Sequence, residues 1–284
     1  MVSFYPGIMY VIAMALGMVM LENVIAQISP VLSLFITSIF AVIFFHLVSK
    51  TKIKTLYHSC WQHRQEWLIV NLIVGIVWLA SYYSVKWVTP TAFLFLFFLA
   101  LTACHHLRQL IRVRKLNRNI INVIMPVIFI TIFYVFHHDT DLEQWGIVAG
   151  VIAGIAGSYY NTSSKAFAID SGLRANDVLA VRFYVILLFI PFFLRAPMFS
   201  GIDLVNILEL ILVSVFTFIL PLYMSQRSLM QLPIDKHTMI IAFTPLVAYI
   251  FQGLFLNQWS SLLLIMSVIT VLFLSASSFL SKSI

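Results

Sequence analysis

Charge is what this chain has least of. Only 10% of its 284 residues are Asp, Glu, Lys or Arg, and just ten are acidic. Set against 62% hydrophobic residues, that is too little polar material to cover a water-soluble domain, so lipid must act as the second solvent. The two cysteines, Cys60 and Cys104, give no disulfide framework. No Lys or Arg precedes the first apolar run and no small-residue cleavage site follows it. A cleavable signal peptide is therefore not expected, and the first run stays as a span. Walker, HExxH and GxSxG patterns are all missing, which leaves ATP-driven transport by this chain and common hydrolytic chemistry without support. No cofactor and no enzymatic activity are expected. The loops are too short for an extramembrane domain.

What is present is a succession of apolar runs. A bilayer core of about 30 Å takes about 20 helical residues. Runs of that order lie at about Tyr5–Val24, Pro30–Leu47, Trp67–Val85, Thr91–Leu107, Ile120–Phe136, Gln144–Ser164, Val178–Leu194, Val205–Tyr223, Thr238–Leu256 and Ser260–Leu280. Helices are the expected form, because open sheets cannot satisfy their backbone groups in lipid.

The basic residues then sort by side. Lys50, Lys52, Lys54 and Arg64 follow span 2; Arg108, Arg112, Arg114, Lys115 and Arg118 follow span 4. Lys165 and Arg174 follow span 6, Arg227 and Lys236 span 8, and Lys282 span 10. That places fourteen of the seventeen Lys and Arg after even-numbered spans, with Lys86 and Arg195 opposite and Arg182 inside span 7. The positive-inside rule makes the richer side cytoplasmic, with both termini there. It also explains the net charge of +7 without nucleic acid. Asp139, Asp141, Glu143 and Asp203 fall on the other side.

The expected fold is an all-α polytopic membrane protein of ten transmembrane helices, arranged as two inverted five-helix repeats, residues 1–140 and 141–284. Five is odd, so the second repeat starts from the opposite face, as in inverted-repeat transporters. A faint echo links Tyr82, Tyr83, Lys86 and Pro90 after span 3 with Tyr223, Arg227 and Pro233 after span 8.

Intramembrane charges are costly and are functional candidates by default. Arg182 lies about one turn into span 7. It either snorkels or pairs with Asp177 or Asp170, or else it attracts an anionic substrate or closes a gate. Glu22, near the outer end of span 1, and Glu209, one turn into span 8, either reach interfacial water or serve as coupling carboxylates. No acid falls at mid-membrane depth. Trp78 and Tyr82 share a helical face. Trp78 is too deep for an interfacial belt, so the pair is a candidate for stacking on an aromatic substrate or holding an organic cation. Tyr159, within a polar run ending at Ser164, either faces an inner vestibule or caps a solvated helix end. In span 9 Pro245 predicts a kink, with Tyr249 and Gln252 beside it as cavity candidates. Gly146, Gly150 and Gly154 form small-xxx-small steps, for tight packing or a sliding face. The pairs His105–His106 and His137–His138 occupy adjacent positions, which do not converge on one metal. No metal site is expected.

Several local runs resemble the drug/metabolite transporter superfamily, in particular its EamA-type members. They are Ala80 through Ala92 at the span 3–4 junction, Ala180-Val181-Arg182-Phe183-Tyr184 at the start of span 7, Pro245-Leu246 in span 9, and Gly146 through Lys165 in span 6. The chain departs from that pattern at Thr37, where an arginine is expected, in span 4, which lacks the proline mirroring Pro245, and at Leu256-Asn257-Gln258, where a glutamate is common. The resemblance implies a central cavity lined by spans 1–4 and 6–9, with spans 5 and 10 peripheral, and favours export.

The combined reading is a multi-pass secondary transporter of the cell inner membrane. It moves a small polar or amphipathic metabolite (an amino acid, aromatic compound or organic cation) by alternating access. Trp78, Tyr82, Tyr249, Arg182, Tyr159 and Gln252 are the substrate candidates; Glu22, Glu209 and Pro245 are the coupling or gating candidates. Proton or other ion coupling and a homodimer are compatible with this reading, and membrane lipid is the surrounding partner. The rivals are a non-transporting assembly or receptor partner docking through the basic stretch Arg108–Arg118, and a membrane-embedded lipid enzyme.

Overall fold

The computed structural model describes residues 4–113, 120–137, 140–199, 202–232 and 234–280. Arg114, Lys115, Arg118, His138, Asp139, Pro233 and Lys282 lie outside the described residues. Among those described there is no strand. The helices are α1 (Tyr5–Gln27), α2 (Pro30–Val48), α3 (Ile53–Gln62), α4 (Arg64–Trp87), α5 (Pro90–Val113), α6 (Ile121–Phe136) and α7 (Asp141–Ser171). They continue as α8 (Ala175–Val181), α9 (Tyr184–Phe189), α10 (Leu204–Val213), α11 (Leu220–Gln231), α12 (Ile234–Ile241), α13 (Thr244–Leu256) and α14 (Ser261–Leu280).

Among the described residues seven segments are long and apolar enough to cross a membrane: Tyr5–Gln27, Pro30–Val48, Arg64–Trp87, Pro90–Ile111, Ala175–Phe193, Leu204–Ser228 and Met239–Leu256. Shorter apolar helices occupy Ile121–Phe136 and Ser261–Ser277. The 31-residue α7 is long but more polar, carrying Asp141, Glu143, Lys165 and Asp170. Burial follows a lipid logic. Ser33, Thr37, Ser38, Asn71, Ser84 and Thr91 are fully buried, while Ile43, Leu47, Ile76, Phe136, Phe192 and Leu272 face outward. A lipid exterior does not penalise apolar side chains, so the bundle keeps its hydroxyls and amides inside.

Helix ends are set locally. Ser29 Oγ accepts from the Leu32 N–H at 3.2 Å and Pro30 takes the first turn, where its missing N–H costs nothing. Thr140 and Glu143 form a capping box at the start of α7, and Gly172, with φ of 65°, ends it. Asn257 ends α13 in the same left-handed conformation, φ 53°.

The structure differs from the sequence expectation in three places. A helix, α3, stands where a loop was expected. Its Leu56 and Cys60 are buried, while Ile53, Tyr57 and Trp61, spaced by four, form an exposed apolar face. That pattern fits a helix lying along an interface. Burial pushes the Cys60 thiol up to about 11, so it stays protonated and unreactive at neutral pH. Second, α7 runs seven residues past Ser164, to Ser171. Third, span 7 breaks at Arg182–Phe183 between α8 and α9; span 9, where Pro245 predicts a kink, is interrupted at Ala242–Phe243 between α12 and α13. The last break has a local cause. Pro245 has no N–H for the Ile241 carbonyl, which accepts the Thr244 hydroxyl instead at 2.6 Å. Between α10 and α11 the chain also widens into a π-helical segment, Ser214–Ile219.

α7 packs along α4 and α5, and α1 packs along the α10–α11 segment and α12–α13. α6 lies against α5, and α14 against α12 and α13. The bundle has two unlike ends. Lys50, Lys52, Arg64, Arg108, Arg174 and Lys236 gather at one, the basic end. Glu22, Asp141, Glu143 and Asp203 sit at the other, the acidic end.

Candidate functional site

The break in span 7 is made by a side chain from another helix. Asn71, on α4, donates from Nδ2 to the Val181 carbonyl at 3.0 Å. Its Oδ1 accepts from the Tyr184 N–H at 2.8 Å and the Val185 N–H at 3.4 Å. Trp67 Nε1 donates to the same Val181 carbonyl at 2.8 Å. In an uninterrupted helix the Val185 N–H would bond to the Val181 carbonyl. Asn71 takes both positions, so the opened backbone keeps its partners inside an apolar bundle.

Arg182 sits at this opening and is only 1% exposed. Its Nη1 donates to the Tyr160 hydroxyl, while Nε and Nη2, both buried, have no hydrogen-bond partner. The guanidinium carbon lies 4.8 Å above the Phe183 ring and 5.6 Å from the Tyr160 ring. The pairing with Asp177 or Asp170 that the sequence allowed is not made. The Asp177 carboxylate instead accepts from Ser49 at 2.5 Å, Thr51 at 2.8 Å and the Arg174 N–H at 3.1 Å, tying α8 to the end of α2.

Arg182 lines a cavity of about 100 Å³. Trp78, Phe97, Phe98, Met14 and Val74 supply apolar walls; Tyr160, Asn161, Gln226 and His237 line it toward the basic end. Asn161 is exposed and Gln226 half-buried, so the lining reaches the surface toward that end. Trp78 stacks on Phe218 with ring centroids 4.1 Å apart, and Phe218 meets Phe183 at 5.1 Å. Tyr82 lies one turn deeper. It touches Trp78 edge-on at 6.4 Å, and its hydroxyl bonds to Thr37 Oγ1 at 2.8 Å. Thr37, the position where an arginine was expected, therefore supports the cavity floor through Tyr82.

The acidic end is closed by a chain of hydrogen bonds. Gln252 Oε1 accepts from the Thr91 N–H at 3.1 Å and from its hydroxyl at 2.7 Å. Gln252 Nε2 donates to Gln258 Oε1 at 3.1 Å, and Gln258 Nε2 donates to Glu22 Oε1 at 3.3 Å. The chain joins residues of 1–140 to residues of 141–284. Tyr249 packs beside it, edge-on to Trp259 at 5.5 Å.

The sequence candidates thus fall in different parts of the bundle. Trp78 and Arg182 face the cavity and Tyr82 lies beneath it. Tyr249, Gln252 and Glu22 belong to the acidic-end closure. Tyr159 stands apart: it is 46% exposed and holds the Arg108 guanidinium 4.5 Å over its ring. Its neighbour Tyr160, a helical step away, is the one that lines the cavity. Glu209 is half-buried on α10, and Pro245 is buried in the first turn of α13. Asn71, Tyr160 and Thr91 were not singled out, although Asn71 is the one amide within the apolar run of span 3, a signal that was available. His105 and His106 turn to different partners, Gln109 and Ser277. Among the described residues no three His, Cys, Asp or Glu side chains converge.

No family model matches this chain, and no curated protein matches it.

Gln252 is the central link of the closure, which gives a direct expectation. Gln252→Leu removes both acceptor bonds to Thr91, each worth about 1 kcal/mol. The amides of the first turn of α5 should then exchange with deuterium roughly tenfold faster or more. Unchanged exchange at Thr91–Phe93 would show that these bonds do not hold the acidic end shut.

Proposed function

We propose that this chain is a secondary transporter of a small polar or amphipathic metabolite, working by alternating access through ten membrane crossings in two inverted repeats. The observation that carries the reading is the asymmetry of the bundle. The lining of a cavity walled by aromatic rings reaches the surface toward the basic end, while hydrogen bonds between the two halves close the acidic end. A path open at one end and latched at the other is one of the two states alternating access requires.

The packing agrees with inversion. α7 lies on α4 and α5 as α1 lies on the segments α10–α11 and α12–α13, and α5 holds α6 as α13 holds α14. That is the correspondence of spans 1 with 6, 3 with 8, 4 with 9 and 5 with 10. Interrupted helices at Arg182 and before Pro245 border the cavity, the usual setting for sites in such proteins. By the positive-inside rule the basic end faces the cytoplasm, with both termini there, and the captured state is inward-facing. The resemblance to EamA-type drug/metabolite transporters fits this arrangement and favours export.

The test is counterflow in proteoliposomes made with the purified chain alone, over a panel of amino acids, aromatic acids and organic amines. At least one compound should be carried. Cross-linking Thr91→Cys to Gln252→Cys, in a Cys60→Ala, Cys104→Ala background, should reduce its flux at least tenfold, with recovery on reduction. No flux across the panel would favour the non-transporting partner. Flux unaffected by the cross-link would exclude alternation at this latch.

A further inference from the structure

The charge of the cavity narrows the class of molecule it can hold. Among the described residues that line it, Arg182 is the one Lys or Arg, and none is Asp or Glu. A guanidinium remains protonated at any physiological pH. Left unpaired in a low-dielectric interior it is expensive, and the aromatic faces of Phe183 and Tyr160 only partly offset that cost. The hydrogen-bonding pattern shows what would complete it. Nη1 is taken by Tyr160, while Nε and Nη2 are buried and unpartnered. Those two nitrogens form one edge of the guanidinium, with parallel N–H bonds spaced to meet both oxygens of a carboxylate.

The remainder of the cavity selects the body of the ligand. Trp78, Phe97, Phe98, Met14 and Val74 offer rings and methyl groups, and the imidazole of His237, the other basic side chain among the described lining residues, is engaged through Nδ1 with the Ser228 hydroxyl at 2.8 Å. A phosphate monoester dianion would leave one charge uncompensated against these walls. An organic cation would meet the Arg182 charge directly, so the cation–π role considered for Trp78 is unfavourable here. We propose that the cavity takes a monocarboxylate with an aromatic or apolar body, held side-on by Nε and Nη2 of Arg182 with its body against Trp78. This rests on the transporter reading for its consequence, but the binding site stands on its own geometry.

Binding favours the folded state by mass action, so melting of the purified full-length chain in detergent reads the ligand class without any transport step. The probes are 3-phenylpropanoate, 3-phenylpropanamide, phenethylammonium and inorganic phosphate, at matched ionic strength. Phenylpropanoate should raise the melting temperature in a saturable way, with the other three giving at least tenfold weaker effects. Arg182→Lys keeps the charge but loses the two-pronged edge, and should weaken phenylpropanoate at least tenfold. Tyr160→Phe leaves that edge intact and should retain the preference for the anion; it serves if the Arg182 variant does not fold. Equal or stronger stabilisation by phenethylammonium or by phosphate overturns the proposal, as does no response to phenylpropanoate. Counterflow separates the two readings. Phenylpropanoate bound but not carried counts against transport and leaves the site assigned; amine flux without anion binding does the reverse.

Discussion

Asn71→Leu should lower stability by about 2–6 kcal/mol, the loss expected when two buried backbone donors lose their partner at about 1–3 kcal/mol each. The donors are the N–H groups of Tyr184 and Val185, both satisfied by Asn71 Oδ1. The leucine keeps the branched shape but supplies no acceptor, and the position is fully buried. The measurement is the melting temperature and monodisperse yield of the purified variant in mild detergent. Asn71→Asp retains the acceptor while losing the Nδ2–H donor to the Val181 carbonyl, a group that Trp67 also serves. If Asn71→Leu melts like the parent, span 7 has closed its own helical bonds. The break at Arg182 would then not be imposed by α4.

Gly154→Ala is the second large effect. A Cβ there would stand 2.4 Å from the Phe97 carbonyl oxygen and 2.8 Å from Ala100 Cβ on α5. The nearest obstacle is backbone, which cannot rotate away, so α7 and α5 must separate along a tightly packed seam. Overpacking of this kind costs about 1–3 kcal/mol, occasionally more. Gly17→Ala should behave alike, because its Cβ would lie 2.4 Å from the Phe216 carbonyl oxygen in the π-helical segment. Gly75 provides the control. Its Cβ would meet nothing closer than 3.8 Å, so Gly75→Ala should leave folded yield unchanged. Equal yields for Gly154→Ala and Gly75→Ala would mean that the seam is looser than described.

These two effects also show where sequence reasoning reaches and where it stops. The small-residue steps Gly146, Gly150 and Gly154 were readable as a close-approach face, because spacing alone puts them on one side of a helix. Which helix they approach was not readable. The structure seats them against Trp87 and Val88, Ser84 and Leu96, and Phe97 and Ala100 respectively. Pro245 announced an interruption in span 9, since a missing N–H is a local fact. The interruption at Arg182 carries no proline or glycine and reads as continuous helix in sequence. It depends on Asn71, 110 residues away from Val181.

Adjacent residues illustrate the same limit. Tyr159 and Tyr160 are equivalent in composition and differ by about 100° around the helix. Only packing against α5 and Arg182 decides that Tyr160 lines the cavity and Tyr159 turns to Arg108. In sequence Glu22 and Gln258 fall at outer span ends, while Gln252 reads as a cavity residue beside Pro245. Their linkage with Thr91 is a tertiary event, joining α1, α5, α13 and the loop that follows α13.

By itself the sequence determined the solvent, because 62% hydrophobic residues with 10% charged leave no alternative to lipid. It also determined the helical form, the crowding of basic residues into alternate loops, and the singularity of Arg182 as a base those loops do not explain. Composition and periodicity report which medium a side chain meets, and that is enough for these conclusions. Tertiary structure alone decided that Arg182 keeps one guanidinium edge free, that Asn71 holds the break open, and that the acidic end is latched. Each depends on hydrogen-bond geometry between residues distant in the chain, and direction and distance are not encoded in any local pattern of polarity.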